Sequence, residues 1–383
     1  MANVYYAQPL LDALSSDFAI APGAIGAVIA ATQAGSVLAL LLLVPLGDRL
    51  PRRRLLLWQL LALVMALAAV AVAHKPAALL ATMLAVGMLG TAMTQGLIAY
   101  AAAAADVTER GRVVGAAQGG VVAGLLGARV LAGVVADLAG WRAVYGGAAI
   151  TMLLLALLLW RALPALPAQK PTLNYWQLLV SMAGLLRREP VLRTRGTLAL
   201  LAFMVFGIFW STLVLPLSAA PWHYGHASIG AFGLAGLAGA LVAAWAGRLA
   251  DRGHGQRTTL AALLLMLLAW APLALAFEEG RSEGVMLTLL ITGIIMLDLG
   301  VQALHVTNQS LIFQASGDAP SRLVGGYMLF YAVGSGAGAL AATSVYAVAG
   351  WPGASMLGAL VSAGALLRWY FTRLLSRGAP VAA

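Results

Sequence analysis

Apolar runs of about 20 residues recur from one end of this chain to the other, and that recurrence constrains the fold more than any motif does. A helix crossing a hydrocarbon core ~30 Å thick needs a run of this length. The chain therefore reads as an all-α polytopic membrane protein. With 62% hydrophobic and only 9% charged residues, it has no soluble basic domain that would turn its net charge of +10 into a nucleic-acid surface. It has no cysteine, which rules out disulfides, thiolate metal sites and a Cys nucleophile.

In chain order, residues 1–14 are too short to span, and spans follow near 22–46, 55–73, 77–102, 113–135 and 142–162. Between 163 and 195 the character changes. Pro164, Pro167 and Pro171 precede LNYWQLLVSMAGLLRR, which puts Leu173, Trp176, Val180, Ala183 and Leu186 near one side, as a helix at the membrane surface or a solvated linker helix would. Six more spans are expected near 196–218, 227–247, 258–277, 285–309, 323–348 and 352–374. The organisation is thus an N-terminal half over 1–162, a linker over 163–195 and a C-terminal half over 196–383. Of the 23 Lys and Arg residues, 19 fall in loops of one parity, including the linker and the C-terminal tail. Only Lys75, Arg142 and Arg281 fall on the other side, so the first side is cytoplasmic.

The halves repeat each other. GDRLPRRR at 47–54 answers to GRLADRGHGQR at 247–257. Arg112-Val-Val-Gly115 answers to Arg322-Leu-Val-Gly325, and Gly140-Trp141 to Gly350-Trp351, both at an offset of 210. Two duplicated six-helix halves joined by a cytoplasmic connector are the layout of a secondary transporter that rocks one half against the other.

The two turn motifs, Leu46-Gly-Asp48-Arg49 with Arg52 and Arg53, and Gly247, Leu249, Ala250, Asp251, Arg252 with Arg257, resemble the signature of the major facilitator superfamily. The first copy departs from that signature at Val44 and Pro51, where the family favours Gly. LDLGVQALHVTNQ at 297–309, NVYYAQPLL at 3–11 and GWRAVYG at 140–146 resemble the bacterial efflux branch, with its arabinose-efflux-like, purine-ribonucleoside-efflux-like and drug/proton antiporter-like permeases. The resemblance implies a major-facilitator fold in which NVYYAQPLL is the outer end of helix 1. One to two turns of that helix would then lie upstream of Met1, leaving eleven full spans and a stub. It further implies a bacterial inner-membrane location with a cytoplasmic C-terminus, and a monomer working with protons, a small-molecule substrate and the lipid bilayer. No cofactor is implied.

Of the 13 acids, only Asp298 falls inside a span. On a helix, Asp298, Gln302, His305 and Gln309 stand at i, i+4, i+7 and i+11, a narrow stripe with Asn308 at its edge. Such a stripe has to face protein or a water-filled path rather than lipid. Asp298 and His305 are the expected proton-coupling residues, the alternative for Asp298 being a fixed lock to Arg129 or a neighbouring helix. Gln302, Asn308 and Gln309 are expected substrate contacts, with Gln95, Tyr100, Gln33, Tyr5 and Arg129 as weaker ones. Arg129 reads as the only cation within a span. It stands in GLLGARVLAG, where the antiporter group has a Gly-rich signature with Pro after Gly, and a structural anchor is an equal reading for it.

The resemblance gives Asp48, Arg49, Arg52, Arg112, Asp251, Arg252 and Arg322 the role of a cytoplasmic latch, against the simpler reading of charged turns that set topology. Gly230, Gly233, Gly236, Gly239, Gly334 and Gly338 read as close helix packing. His223 and His226 stand at i, i+3 without a nearby carboxylate in the sequence, so no metal site is expected. The combined reading is a secondary transporter, most simply a proton-coupled exporter of a small organic compound. Proton-coupled or facilitated uptake of a sugar or nucleoside is the rival. A membrane-embedded enzyme or sensor stands further off, because no paired-carboxylate, metal-ligand or nucleophile cluster is visible.

Overall fold

The computed structural model describes residues 2–106, 109–164, 175–315 and 320–378. The apolar runs become helices, and nine of these, among the described residues, are long and apolar enough to cross a membrane. The number of helices of that kind is larger, because one 52-residue stretch, Leu323–Leu374, is two helices broken at Gly350.

The first unit comprises Met1–Met182 with Leu213–Leu234. It begins with short 3-10 turns and the helix α1 (Leu11–Asp17), then continues through α2 (Gly26–Leu38), α3 (Arg52–Ala71), α4 (Pro76–Ala104), α5 (Arg110–Ala139) and α6 (Trp141–Ala162). Residue 175 opens the linker helix α7 (Tyr175–Arg188). The second unit, Ala183–Thr212 with Ala235–Ala383, is built on α8 (Pro190–Thr212). The short helices α9 (Val214–Ser218) and α10 (His226–Ala231) return to the first unit. The second unit is completed by α11 (Leu237–Leu249), α12 (Gly255–Ala276), α13 (Glu283–Ala315) and α14 (Pro320–Gly378). The units differ from halves drawn at 1–162 and 196–383 chiefly at 213–234, a segment that lies late in sequence but packs in the first unit.

Small residues let these helices approach closely. In the first unit α2 packs on α4, α3 on α6 and α10 on α5; in the second α8 packs on α14 and α12 on α13. A Cβ on Gly334 would stand 2.1 Å from the Leu200 carbonyl oxygen, and one on Gly338 2.2 Å from that of Met204. Backbone contact of this kind supplies the packing that lipid, as apolar as a Leu side chain, cannot drive. The lipid side is equally visible: on α6 the side chains of Leu154, Leu158 and Trp160 are about 60% exposed (62%, 61% and 58%).

The duplicated Gly-Trp pairs make the same turn twice. Gly140 has φ 81° and Gly350 φ 59°, left-handed values that favour glycine, and each separates two helices. The following tryptophans are buried and donate their indole N–H groups, Trp141 to Asp17 at 2.9 Å and Trp351 to the Leu273 carbonyl at 2.7 Å. The paired Asp-Arg turns, by contrast, close differently. Gly253, at φ 82°, bends the second copy, whereas the first uses a 3-10 turn over Val44–Asp48 and then Pro51 to open α3. The substitutions at Val44 and Pro51 thus change how the loop turns while leaving its charges in place.

In the linker, Trp176 and Val180 are 71% and 68% exposed on α7, an apolar face suited to a membrane surface. Residues 165–174, including Leu173, lie outside the described residues.

Candidate transport site

The polar stripe of α13 lies inside one continuous helix, and its members split into three neighbourhoods. Asp298 is 4% exposed and accepts a hydrogen bond from the Trp210 indole of α8 at 3.4 Å. One turn on, Gln302 packs against Gly239, where an added Cβ would stand 3.0 Å from its Cγ.

About 10 Å along the axis from Asp298, His305 is enclosed by aromatic rings. Phe203 meets it edge-on at 5.2 Å, with Tyr327 and Tyr331 at 5.4 and 6.3 Å. Its Nδ1 is 2.9 Å from the Tyr327 hydroxyl, and its Nε2 is 3.3 Å from Nε2 of Gln309. One tautomer satisfies both contacts: Nδ1–H donates to Tyr327, and the Gln309 amide donates to Nε2. The Tyr327 hydroxyl then donates to the His305 carbonyl at 3.4 Å.

Asn308, beside the same Tyr327, is fully buried. Its Oδ1 faces Nη1 of Arg195 at 3.5 Å, and the same Nη1 donates to Thr259 at 3.1 Å. Arg195 is itself 6% exposed within the candidate span Pro190–Ser218. This corrects the expectation that Arg129 is the only cation inside a span. Arg195 stands where the apolar run of α8 begins, close after Arg187, Arg188 and Arg193, and in sequence it merges with the charged linker.

In the first unit, Arg129 is 2% exposed, donates from Nε to Oε1 of Gln8 at 2.8 Å and lies 5.6 Å from the Tyr5 ring centroid. Gly230 packs on its backbone and Gly233 on its side chain, where added Cβ atoms would stand 2.3 and 3.1 Å away. Gln33 is buried, and its Oε1 makes no hydrogen bond to any described residue. Tyr100 donates its hydroxyl to the Pro164 carbonyl, which ties it to the end of α6, and Gln95 is half-buried.

Several of the expected latch residues reach the ends of other helices in their own unit. Arg52 donates to the carbonyls of Gly47 and Ala99 at 3.4 and 3.3 Å. Asp251 accepts from Gln314 at 3.4 Å. Arg112 pairs with Glu109 at 2.7 Å, while Arg49 and Arg252 are exposed. The side chains of Asp48 and Arg322 lie outside the described residues.

His226 is a second correction. Its sequence neighbourhood holds no acid, yet the fold brings two. Nδ1 lies 2.8 Å from Oδ1 of Asp137 and Nε2 3.2 Å from Oδ1 of Asp12. Asp137 also accepts the backbone N–H groups of His226 and Ala227 at 2.9 and 2.8 Å, capping α10 from a different helix. The Asp12 hydrogen bond, opposed by partial burial and aided by Asp137, raises the His226 pKa to about 9. The two acids sit on opposite ring nitrogens rather than converging on one point, and no described group of three His or acidic residues is arranged to hold a metal. Beside this clamp, Arg142 and Trp141 both hydrogen-bond Asp17, and Arg142 chiefly holds that carboxyl below its ordinary pKa.

The profile described as Major Facilitator Superfamily matches residues 1–297. The chain belongs to that superfamily. A relative from Escherichia coli strain K12, named as the transporter YgaY, is 40% identical over 377 residues, covering 97% of this chain and 92% of its own. Another, named as the transporter SCO4007 of Streptomyces coelicolor, is 31% identical over 380 residues, covering 97% and 84%. Among solved structures, a mutant of the nucleoside transporter NupG superposes with a TM-score of 0.75 at 15% identity, covering 97% of this chain and 96% of that one. At such identity the likeness shows the fold alone. The protein is therefore a multi-pass membrane transporter of the major facilitator type and not an enzyme.

Proposed function

We propose that this transporter is a proton-coupled exporter of a small organic compound, working by alternating access in a bacterial inner membrane with its C-terminus in the cytoplasm. The observation that carries the reading is Asp298, an acid buried well within a span and held by the Trp210 indole of another helix. A charge in that position is costly unless neutralised or hydrated. A carboxyl there is stable when protonated and releases its proton when a conformational change brings water or ligand to it, which is what coupling requires.

His305 extends the path toward the positively charged loops. Its second ring nitrogen exchanges its partner, Gln309, for a proton without moving the Tyr327 contact. Gln302, Gln309, Gln95, Gln33 and Tyr5 supply neutral hydrogen-bonding groups for a substrate. Arg129 either anchors Gln8 and Tyr5 or attracts an anionic substituent. The Asp-Arg turns at 48–53 and 251–257 act as the inner latch. Export rather than uptake is supported by the resemblance of the α13 stripe and of the segments at 3–11 and 140–146 to efflux permeases.

The test is transport by purified protein in liposomes under an imposed pH gradient, with a compound panel and an internal pH dye. A compound moved by the native protein is expected to drive proton flux, and Asp298→Asn is expected to abolish that flux while still binding the compound. Coupled transport by Asp298→Asn would overturn the assignment. Everted and right-side-out membrane vesicles separate export from uptake.

A further inference from the structure

In the second unit, the start of α8, the start of α12 and the ends of α13 and α14 surround a pocket of about 470 Å³. Its polar lining includes Arg195, Thr194, Gln256, Gln314 and Arg373, and no carboxylate is among its described lining residues. The two guanidinium groups are near enough to repel each other. Such a lining of fork-shaped cations, carboxamides and a hydroxyl matches the oxygens of a phosphate ester.

A second hollow of about 450 Å³ shares one wall with the first, Trp369 and Arg373. It is otherwise apolar, with Leu260, Leu264 and Leu367 on its sides. Leu264, Leu367 and Leu374 are 40%, 54% and 47% exposed, so this groove opens on the outside of the unit. The shared wall is built firmly: the Trp369 indole donates to Oε1 of Gln256 at 3.1 Å, and the Arg373 guanidinium lies 5.4 Å from a Trp369 ring centroid.

The order of these features along the helices matters. From Gln256 to Leu264 is eight residues, about 12 Å of helix, and α14 runs the opposite way over six, about 9 Å, from Arg373 to Leu367. The polar pocket therefore lies at the membrane face where the spans end, and the apolar groove descends from it into hydrocarbon. Trp369 sits at the join, where an aromatic ring with one polar edge is at home.

We propose that this composite surface binds an anionic phospholipid, with the headgroup phosphate between Arg195 and Arg373 and an acyl chain along Leu264 and Leu367. The pocket belongs to the face carrying the Lys and Arg excess, so the same side of the protein both sets topology and selects lipid. Binding clamps the end of α14 against α8 and α12.

Native mass spectrometry and thermal shift of the full-length protein in detergent test this with three probes: phosphatidylglycerol, phosphatidylcholine and inorganic phosphate. Phosphatidylglycerol is expected to remain bound and raise the melting temperature, and Arg373→Gln is expected to weaken it about fivefold, the value of one arginine near an anionic headgroup. Equal retention of phosphatidylcholine, or undiminished phosphatidylglycerol binding by Arg373→Gln, overturns the proposal. A shift by inorganic phosphate equal to that by phosphatidylglycerol overturns the lipid assignment in favour of a free-anion site. Should Arg373→Gln fold poorly, quenching of native tryptophan fluorescence by brominated phosphatidylglycerol provides the second measure. Loss of the quenched component in Trp369→Phe supports the site, and its full retention overturns it.

Discussion

Nδ1 of His226 stands 2.8 Å from Oδ1 of Asp137, a residue 89 positions away in the chain. With Asp12 on its other nitrogen, the ring joins α1, α5 and α10 of the first unit. The imidazolium is favoured by folding, since its pKa rises from 6.5 to about 9. A raised pKa contributes stability that is full below pH 6.5 and is lost as pH climbs through about 9. The ring is partly solvated, so the loss is on the order of 1 to 2 kcal/mol rather than the whole value of the shift. Thermal melts of native protein should therefore fall between pH 6.5 and 9.5 more steeply than those of His226→Gln. Parallel curves would remove the clamp from consideration.

Close backbone approach makes a separate, sharper prediction. Gly334→Ala would set a Cβ 2.1 Å from the Leu200 carbonyl oxygen, so α8 and α14 have to separate. Overpacking of this kind costs about 1 to 3 kcal/mol or more. Gly146→Ala on α6 meets nothing within 4 Å and serves as control. As a helix-interior replacement it should leave stability unchanged or raise it by up to about 1 kcal/mol. Melting temperatures of the two variants in one detergent decide the matter.

What the sequence revealed and what it hid follow from the range of the interactions. The spans were legible because hydropathy is summed within one helix, and the Gly-Trp turns because a left-handed residue is a local demand. Asp298 stood out because an acid in an apolar run is conspicuous. Trp210 and Tyr327, which hold Asp298 and His305, carry no such signal: each is one aromatic residue in a run of apolar ones, and only helix packing gives it a partner. Asp12 and Asp137 look like loop acids until the fold turns both toward His226. Arg195 was obscured for the opposite reason, by the charges just before it.

Arg195 yields the next prediction. One nitrogen serves both Thr259 and Asn308, and both acceptors are buried. Arg195→Ala strands them and should cost about 1 to 3 kcal/mol for the lost charged hydrogen bonds. Arg195→Lys keeps the charge but not the planar fork and should fall between. Chemical or thermal denaturation in micelles measures the series, and an Ala variant as stable as the native protein would show that the Arg195 contacts contribute nothing.

Trp210 allows the role of Asp298 to be separated from its mere presence. The indole N–H reaches Oδ1 at 3.4 Å, a long hydrogen bond, so its loss costs little stability, on the order of 0.5 to 1.5 kcal/mol. Trp210→Phe keeps most of the packing against Phe206 and Phe209, whose ring centroids lie 6.1 and 5.1 Å away. Removing a donor that favours the carboxylate leaves the proton bound more firmly. If Asp298 carries the coupled proton, the pH at which transport is half-maximal should therefore move upward in Trp210→Phe, with the maximal rate much less affected. If Asp298 is only a structural lock, the variant should lose stability and leave the pH profile where it was. Transport measured against pH, alongside a melting curve for the same preparation, distinguishes the two outcomes.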